Sequence, residues 1–189
     1  MTTSQWNLPN LLSLSRVFLA PLVMVFLTVR GLGTFVIKTD ARDIVINIGD
    51  IIAGIVFIAA SITDAADGYV ARKKGIVTNL GKFIDPLADK ILVVAALISL
   101  VELERLPAWI VVIIVSREFI VSGVRMVAAV DGVVIHASKG GKAKTVSQII
   151  AIVMMIFDTP YAMPVMWVAM ILTVWSGMDY LVKGRDFFH

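Results

Sequence analysis

Read for its apolar and polar positions alone, the chain is six long hydrophobic runs joined by short polar connections. A helix needs about 20 mostly apolar residues to cross a bilayer. Six stretches meet or approach that length, at about 11–29, 44–70, 81–101, 106–130, 144–157 and 161–182. Pro21 lies inside the first and predicts a kink there. The fifth is short for a span, so a tilt or an extension by its polar start is expected. The runs are too long for strands and rich in Ala, Leu and Met, which predicts helices and no strand. No polar block is long enough for a separate soluble domain, and no repeat of 20–50 residues occurs. The predicted fold is therefore an all-α integral membrane bundle of six transmembrane helices, one domain over 1–189.

Composition supports that pattern. Hydrophobic residues make up 59% of the chain, more than a soluble domain of this size usually carries. The absence of cysteine excludes disulfides, thiolate metal sites and a cysteine nucleophile. The N-terminal MTTSQWNLPN has no basic segment and no small-residue cleavage site after it, so no cleaved signal peptide is expected. The net charge of +3 is modest, and its placement says more than its size. With six spans, one side holds Arg72, Lys73, Lys74, Lys82, Lys90, Lys139, Lys142, Lys144, Lys183 and Arg185, whereas the other holds only Arg30, Lys38, Arg42 and Arg105. The positive-inside rule assigns the first side, with both termini, to the cytoplasm. A multi-pass protein of the cytoplasmic membrane is predicted, with no nucleic-acid partner and no soluble redox cofactor.

Against this apolar background, Asp64, Asp67, Asp85 and Asp89 stand out. Carboxylates beside membrane spans are costly, and here four fall in DAADGYVARKKGIVTNLGKFIDPLAD, between the second and third runs. Asp64 and Asp67 are three apart and Asp85 and Asp89 four apart, so each pair shares a helix face. Gly81 and Pro86 are read as flanking the turn into the second of these helices. Four converging carboxylates repel one another unless divalent cations join them, and an all-oxygen set suits hard ions such as Mg²⁺ or Mn²⁺. Gly68 permits close approach of a ligand to the backbone. Arg72 offers a planar fork for phosphate, and Thr78 and Asn79 add polar groups. Together these suggest a pyrophosphate site facing the cytoplasm. Lys73, Lys74 and Lys82 read more simply as snorkelling side chains at helix ends.

The string Asp64-x-x-Asp67-Gly68-x-x-Ala71-Arg72, eight residues, then Gly81-x-x-x-Asp85-x-x-x-Asp89, resembles the complete signature of the CDP-alcohol phosphotransferases. The six-run layout, with the motif passing from the second run to the third, is similar as well. The resemblance implies a CDP-linked donor whose distal phosphorus is attacked by an acceptor hydroxyl, with CMP leaving. It implies that Asp64, Asp67 and Asp85 are metal ligands for a pair of Mg²⁺ or Mn²⁺ ions. Asp89 is then the general base and a possible fourth ligand. Gly68, Ala71, Arg72, Thr78 and Gly81 would line the donor site. A homodimer is implied in the same way.

Three further stretches resemble the branch of that family whose acceptor is glycerol 3-phosphate. In NLPNLLSLSRVFLAPLV, Asn10, Ser13 and Arg16 form one polar stripe on an apolar helix. N-capping with an interfacial arginine is the plain reading; the resemblance adds Asn10 and Arg16 to the donor site. In SREFIVSGVRMVAA, Arg117 and Arg125 are eight apart, so they share a face roughly 12 Å apart. Glu118 offers Arg117 an internal ion pair, while Arg125 has no obvious partner and is the better ligand. In ASKGGKAKTVSQ, a loop entering the fifth run, Lys139, Lys142, Lys144, Thr145 and Gln148 cluster with two glycines. The spacing is not that of a Walker A loop, and contact with anionic lipid is the plain reading. By resemblance, Arg117, Arg125, Lys142, Lys144 and Thr145 would bind the acceptor phosphate. The implied reaction joins CDP-diacylglycerol and sn-glycerol 3-phosphate into phosphatidylglycerol phosphate and CMP, with membrane lipid as surroundings. Small residues such as Ala53, Gly54, Ala59, Ala60 and Ala65 suit close helix packing beside a lipid groove, or packing alone.

Other readings stay open at this point. The same chemistry on inositol phosphate, serine or phosphatidylglycerol would use the same signature. A divalent-cation transporter would want acids at the bilayer midplane and inverted repeats, and the sequence has neither. His136 and His189 lie outside the constellation. Asp50 is about 21 Å before Asp64 along a helix, which places it near the outer interface. Asp179 is spaced to pair with Lys183. Trp109, Trp167 and Trp175 read as interface or packing residues.

Overall fold

Six helices and one short hairpin make up the described chain, which in this computed structural model comprises residues 8–29, 31–38, 44–74, 79–130 and 139–184. Only the backbone is described at 8–13, 37, 44, 64–74, 79–86, 89, 129–130, 139–140, 142 and 181–184. The helices are α1 (Leu8–Thr28), α2 (Ile48–Lys74), α3 (Asn79–Glu102), α4 (Ala108–Val130), α5 (Lys139–Ile156) and α6 (Ala162–Gly184). The apolar runs thus become helices, most within a few residues of the predicted ends. Helix α5 differs most: it begins at Lys139, so the predicted polar loop is its first turns.

The prediction that no strand would occur is wrong. Thr34–Ile37 (β1) and Ile44–Asn47 (β2) pair antiparallel, with Thr34 opposite Asn47 and Ile37 opposite Ile44. Both are four-residue runs dominated by β-branched and aromatic side chains. The second run is therefore a strand to Asn47 and a helix only from Ile48. Asn47 makes the switch. Its Oδ1 accepts from the Gly49 amide at 3.1 Å, and the Asp50 carboxylate accepts from the Asn47 amide at 3.2 Å, a reciprocal cap of the helix start. Gly33, at φ +106°, supplies the left-handed residue ahead of β1, and its carbonyl accepts from Ile48 N–H at 3.0 Å.

Helix α1 packs most extensively on α3 and α2, α5 packs on α6 and α2, and α4 packs on α6 and α3. The buried stripes follow helical spacing: Ala20, Val23 and Leu27 on α1; Leu92, Ala95, Ala96 and Leu100 on α3; Met166, Ala169 and Met170 on α6. Many large apolar side chains point outward instead, among them Phe18, Ile55, Ile62, Val112, Ile171, Trp175 and Met178. One described helix, over Ala162–Tyr180, is long and apolar enough to cross a membrane. Leu14–Thr28, Ile48–Thr63 and Ala143–Ile156 are shorter apolar helical stretches.

At one end of the bundle a single arginine ties three connections together. Arg105, between α3 and α4, lies 2.8 Å from the Asp50 carboxylate and donates to the carbonyls of Met155 and Ile156 at the end of α5. Asp50 is buried. Its predicted place near the outer interface is refined to a packed helix start neutralised by Arg105. The guanidinium also meets the negative end of α5, where a cation is favoured.

Candidate functional site

Helix α2 continues unbroken to Lys74 and α3 starts at Asn79. Asp64 and Asp67 are thus three apart on one helix, and Asp85 and Asp89 four apart on the next, so each pair occupies one face. Gly81 and Pro86 lie inside α3 rather than flanking its start, because the helix begins at Asn79. The side chains of Asn10, Asp64, Asp67, Ala71, Arg72, Asp85, Asp89 and Lys142 lie outside the described residues, as does Thr78 altogether, and Gly68 and Gly81 are placed by backbone only. As a donor set, four carboxylates suit hard divalent cations.

Arg16 is placed in full. It heads the buried stripe of α1, four residues before Ala20, and is itself only 1% exposed. Since α1 packs on α3 and α2, that stripe lies on the face turned toward the two aspartate helices. The predicted polar stripe is thus an interior feature at Arg16, not an interfacial one.

Helices α4 and α5 bring two of the predicted acceptor residues, Arg117 and Lys144, onto one shared carboxylate. Arg117 donates through NH2 to Ser176 Oγ at 2.7 Å and through NH1 to Glu118 Oε1 at 3.2 Å. Lys144 donates to the same Glu118 oxygen. The three charged side chains retain 13%, 16% and 7% exposure, so Glu118 holds two cations together in a largely water-excluded place. Both readings of Arg117 therefore meet: it has its internal pair, and it sits in a cationic cluster. Lys144 is a buried helix residue rather than a loop lysine. Thr145, on the exposed side of α5, donates to its own helix at Gly141.

Arg125 is not without a partner, contrary to the sequence reading. Its Nε donates to the Tyr180 hydroxyl at 2.9 Å, and its guanidinium lies 5.0 Å from the centre of that ring. The two contacts hold the guanidinium against the ring. Arg117, Lys144 and Arg125 set against Glu118 leave an excess of two positive charges among these four side chains, which complements a dianion. On the α3 side, Lys90 donates to Ser122 of α4. Ser122 lies between Glu118 and Arg125 on α4, and Lys90 directly follows Asp89, so this contact joins the aspartate helix to the cationic helix.

Sequence reasoning missed Ser122, Ser176, Gly177 and Tyr180. A signal for the α6 set existed: Thr173, Ser176 and Tyr180 recur at helical spacing in an apolar run, and all three are buried. Gly177 has a steric role. A Cβ there would come within 2.8 Å of Arg117 Cγ and 2.9 Å of its Nε, so the bare backbone of α6 is the floor on which Arg117 lies.

The family model described as CDP-alcohol phosphatidyltransferase matches residues 6–175. The chain is 44% identical over 190 residues to a Bacillus subtilis (strain 168) protein named CDP-diacylglycerol–glycerol-3-phosphate 3-phosphatidyltransferase, with 96% of each chain covered. Proteins of the same name are similar in Rickettsia felis, at 30% identity over 96% of this chain and 97% of the relative. In Mycoplasma pneumoniae the identity is 38% over 82% of this chain and 70% of the relative.

Proposed function

The chain belongs to the CDP-alcohol phosphatidyltransferase family, and on that footing we propose that it transfers the phosphatidyl group of CDP-diacylglycerol to sn-glycerol 3-phosphate. The acceptor's primary hydroxyl forms a bond to the phosphorus distal to cytidine, the bond from that phosphorus to the CMP oxygen breaks, and phosphatidylglycerol phosphate and CMP result. The observation that carries the reading is the Lys90–Ser122 contact. It joins the helix that carries Asp85 and Asp89 to the helix that carries Arg117 and Arg125, which supports reading the two sets as one site.

In this reading Asp64, Asp67, Asp85 and Asp89 hold Mg²⁺ or Mn²⁺, two ions in all. When bound, such ions neutralise pyrophosphate charge and stabilise the charge that builds on departing CMP. Asp89 takes the hydroxyl proton as general base. Gly68, Ala71, Arg72, Thr78 and Gly81 line the nucleotide, with Asn10 and Arg16 on the α1 side. The acceptor phosphate lies with Arg117, Arg125, Lys142, Lys144 and Thr145, and paired cations suit it through charge-assisted hydrogen bonds.

The same proposal has six membrane crossings with both termini and the site toward the cytoplasm. Its supports are the cationic bias of one set of loops and the outward apolar side chains of the helices.

The test is CMP release by purified protein from CDP-diacylglycerol with Mg²⁺ or Mn²⁺, each acceptor offered separately. Turnover with glycerol 3-phosphate is expected. Turnover only with inositol phosphate, serine or phosphatidylglycerol would move the chain to another branch of the same chemistry.

A further inference from the structure

Gln148 is a buried amide on α5, 4% exposed, whose Nε2 is left unbonded by the described residues. A buried donor left unmade is destabilising, and folded proteins rarely tolerate one without a reason. Its surroundings supply the reason. Gln148 follows Lys144 by one turn of α5, so the two share a face, and Lys144 is buried and bound to Glu118 in the cationic cluster.

Its depth in the bundle fits as well. Helix α5 runs opposite to α2: Arg105 bridges the start of α2 to the end of α5. The two helices also meet where Gly54 lies against Phe157, so closely that a Cβ on Gly54 would come within 2.6 Å of the ring. Nine residues on from Gly54 along α2 is Thr63, and nine back from Phe157 along α5 is Gln148. At a common rise of about 1.5 Å per residue both have moved about 13 Å toward the site end of the bundle. Gln148 therefore lies at the level of Thr63, one residue before Asp64, and Lys144 at the level of Asp67.

We propose that Gln148 is a specificity-determining residue that reads the secondary hydroxyl of the acceptor. This rests on the acceptor assignment made above. With the phosphate at Arg117 and Lys144, a side chain about 6 Å further along α5 faces the carbon chain of a three-carbon phosphate monoester rather than its charge. A primary amide both donates and accepts, which matches a hydroxyl. The primary hydroxyl goes to the reacting phosphorus, and the secondary one is left for the amide.

The experiment compares glycerol 3-phosphate with 3-hydroxypropyl phosphate, which keeps the phosphate and the attacking hydroxyl but lacks the secondary one. Wild-type protein is expected to favour glycerol 3-phosphate by about tenfold in kcat/KM, the size of one hydrogen bond. In Gln148→Met, which preserves length and apolar bulk, the preference falls to about one while turnover of the deoxy analogue is retained. Gln148→Asn keeps the amide and restores part of the preference, a rescue that mere packing would not give. Equal losses on both acceptors in Gln148→Met, in protein of unchanged helix content, overturn the inference, as does a change confined to the KM for CDP-diacylglycerol. Wild-type protein inactive with glycerol 3-phosphate brings down the functional reading itself, so the two failures are distinct.

Discussion

Glu118 sets the character of the cationic cluster at the level of single residues. Without it, Arg117 and Lys144 would be two like charges repelling each other in a place that holds little water. With it, both side chains are held on one carboxylate, and the cluster keeps a net positive charge for an anionic ligand. Gly177 completes the seat, which gives a test that separates position from stability. In Gly177→Ala the new methyl pushes on Arg117 near its root, so the KM for glycerol 3-phosphate should rise about three- to tenfold. The helix-propensity gain of Ala over Gly, about 1 kcal/mol, is set against an overpacking cost of about 1–3 kcal/mol at Arg117, so thermal stability should hold or fall slightly. Steady-state kinetics and thermal unfolding of the same sample measure the two effects. Asp89 carries a different kind of prediction. Asp89→Asn keeps the shape and removes the base, so kcat should fall on the order of 10²–10⁴-fold, with the KM for the acceptor little changed. Full activity in that variant would remove the general base from the mechanism. The aspartates drew notice in sequence because charge is conspicuous among apolar residues, and the structure describes only their backbone, on α2 and α3. Tyr180 and Ser176 were not, because a lone hydroxyl in an apolar run reads as filler until the helix opposite is known.

Elements explain which parts of the fold could be read in advance. Long apolar runs have one way to satisfy their backbone in an apolar setting, so α1, α3, α4 and α6 followed from hydropathy alone. The hairpin escaped because four-residue strands leave no periodicity that stands out beside a 27-residue helix. The signal was there in Asn47-Ile48-Gly49-Asp50, where the Asn47 side chain accepts from the Gly49 amide and the Asp50 carboxylate from the Asn47 amide. Helix α5 starts earlier than predicted because the lysines and glycines of its first turns were weighed by polarity, not by the helix that buries Lys144. The Asp50–Arg105 pair shows what joins these elements at the other end. Its side chains are 1% and 13% exposed, so removing one partner leaves a buried charge. Arg105→Ala should cost on the order of 3 kcal/mol and lower the thermal midpoint in detergent. The Asp50→Asn, Arg105→Met double variant should recover a good part of that loss. Equal losses in the single and double variants would mean that Arg105 acts through the α5 carbonyls alone.

At the scale of the whole molecule, buried polarity divides the bundle. Toward the start of α1 and α5 and the end of α4 and α6, the interior holds Arg16, Arg117, Lys144, Gln148, Ser176 and Tyr180. Toward the opposite ends it is mainly apolar, with Leu27, Ala53, Leu100, Ile110, Ile156 and Met166, and the buried polar residues described there are Asn47, Asp50 and Ser99, with Arg105 pairing Asp50. Buried polarity concentrated toward one end suits a water-soluble acceptor and a membrane-bound donor, since each would reach the reacting phosphorus from its own phase. The proposed orientation makes that end cytoplasmic, and the absence of cysteine makes it directly testable. Lys38→Cys on the hairpin and His136→Cys between α4 and α5 each give a single thiol on what should be opposite faces. A membrane-impermeant maleimide added to intact cells should label Lys38→Cys and spare His136→Cys, with the pattern reversed in inverted vesicles. Labelling of both thiols from the same side would require an even number of crossings between them and remove the six-span topology, whatever the chemistry of the site.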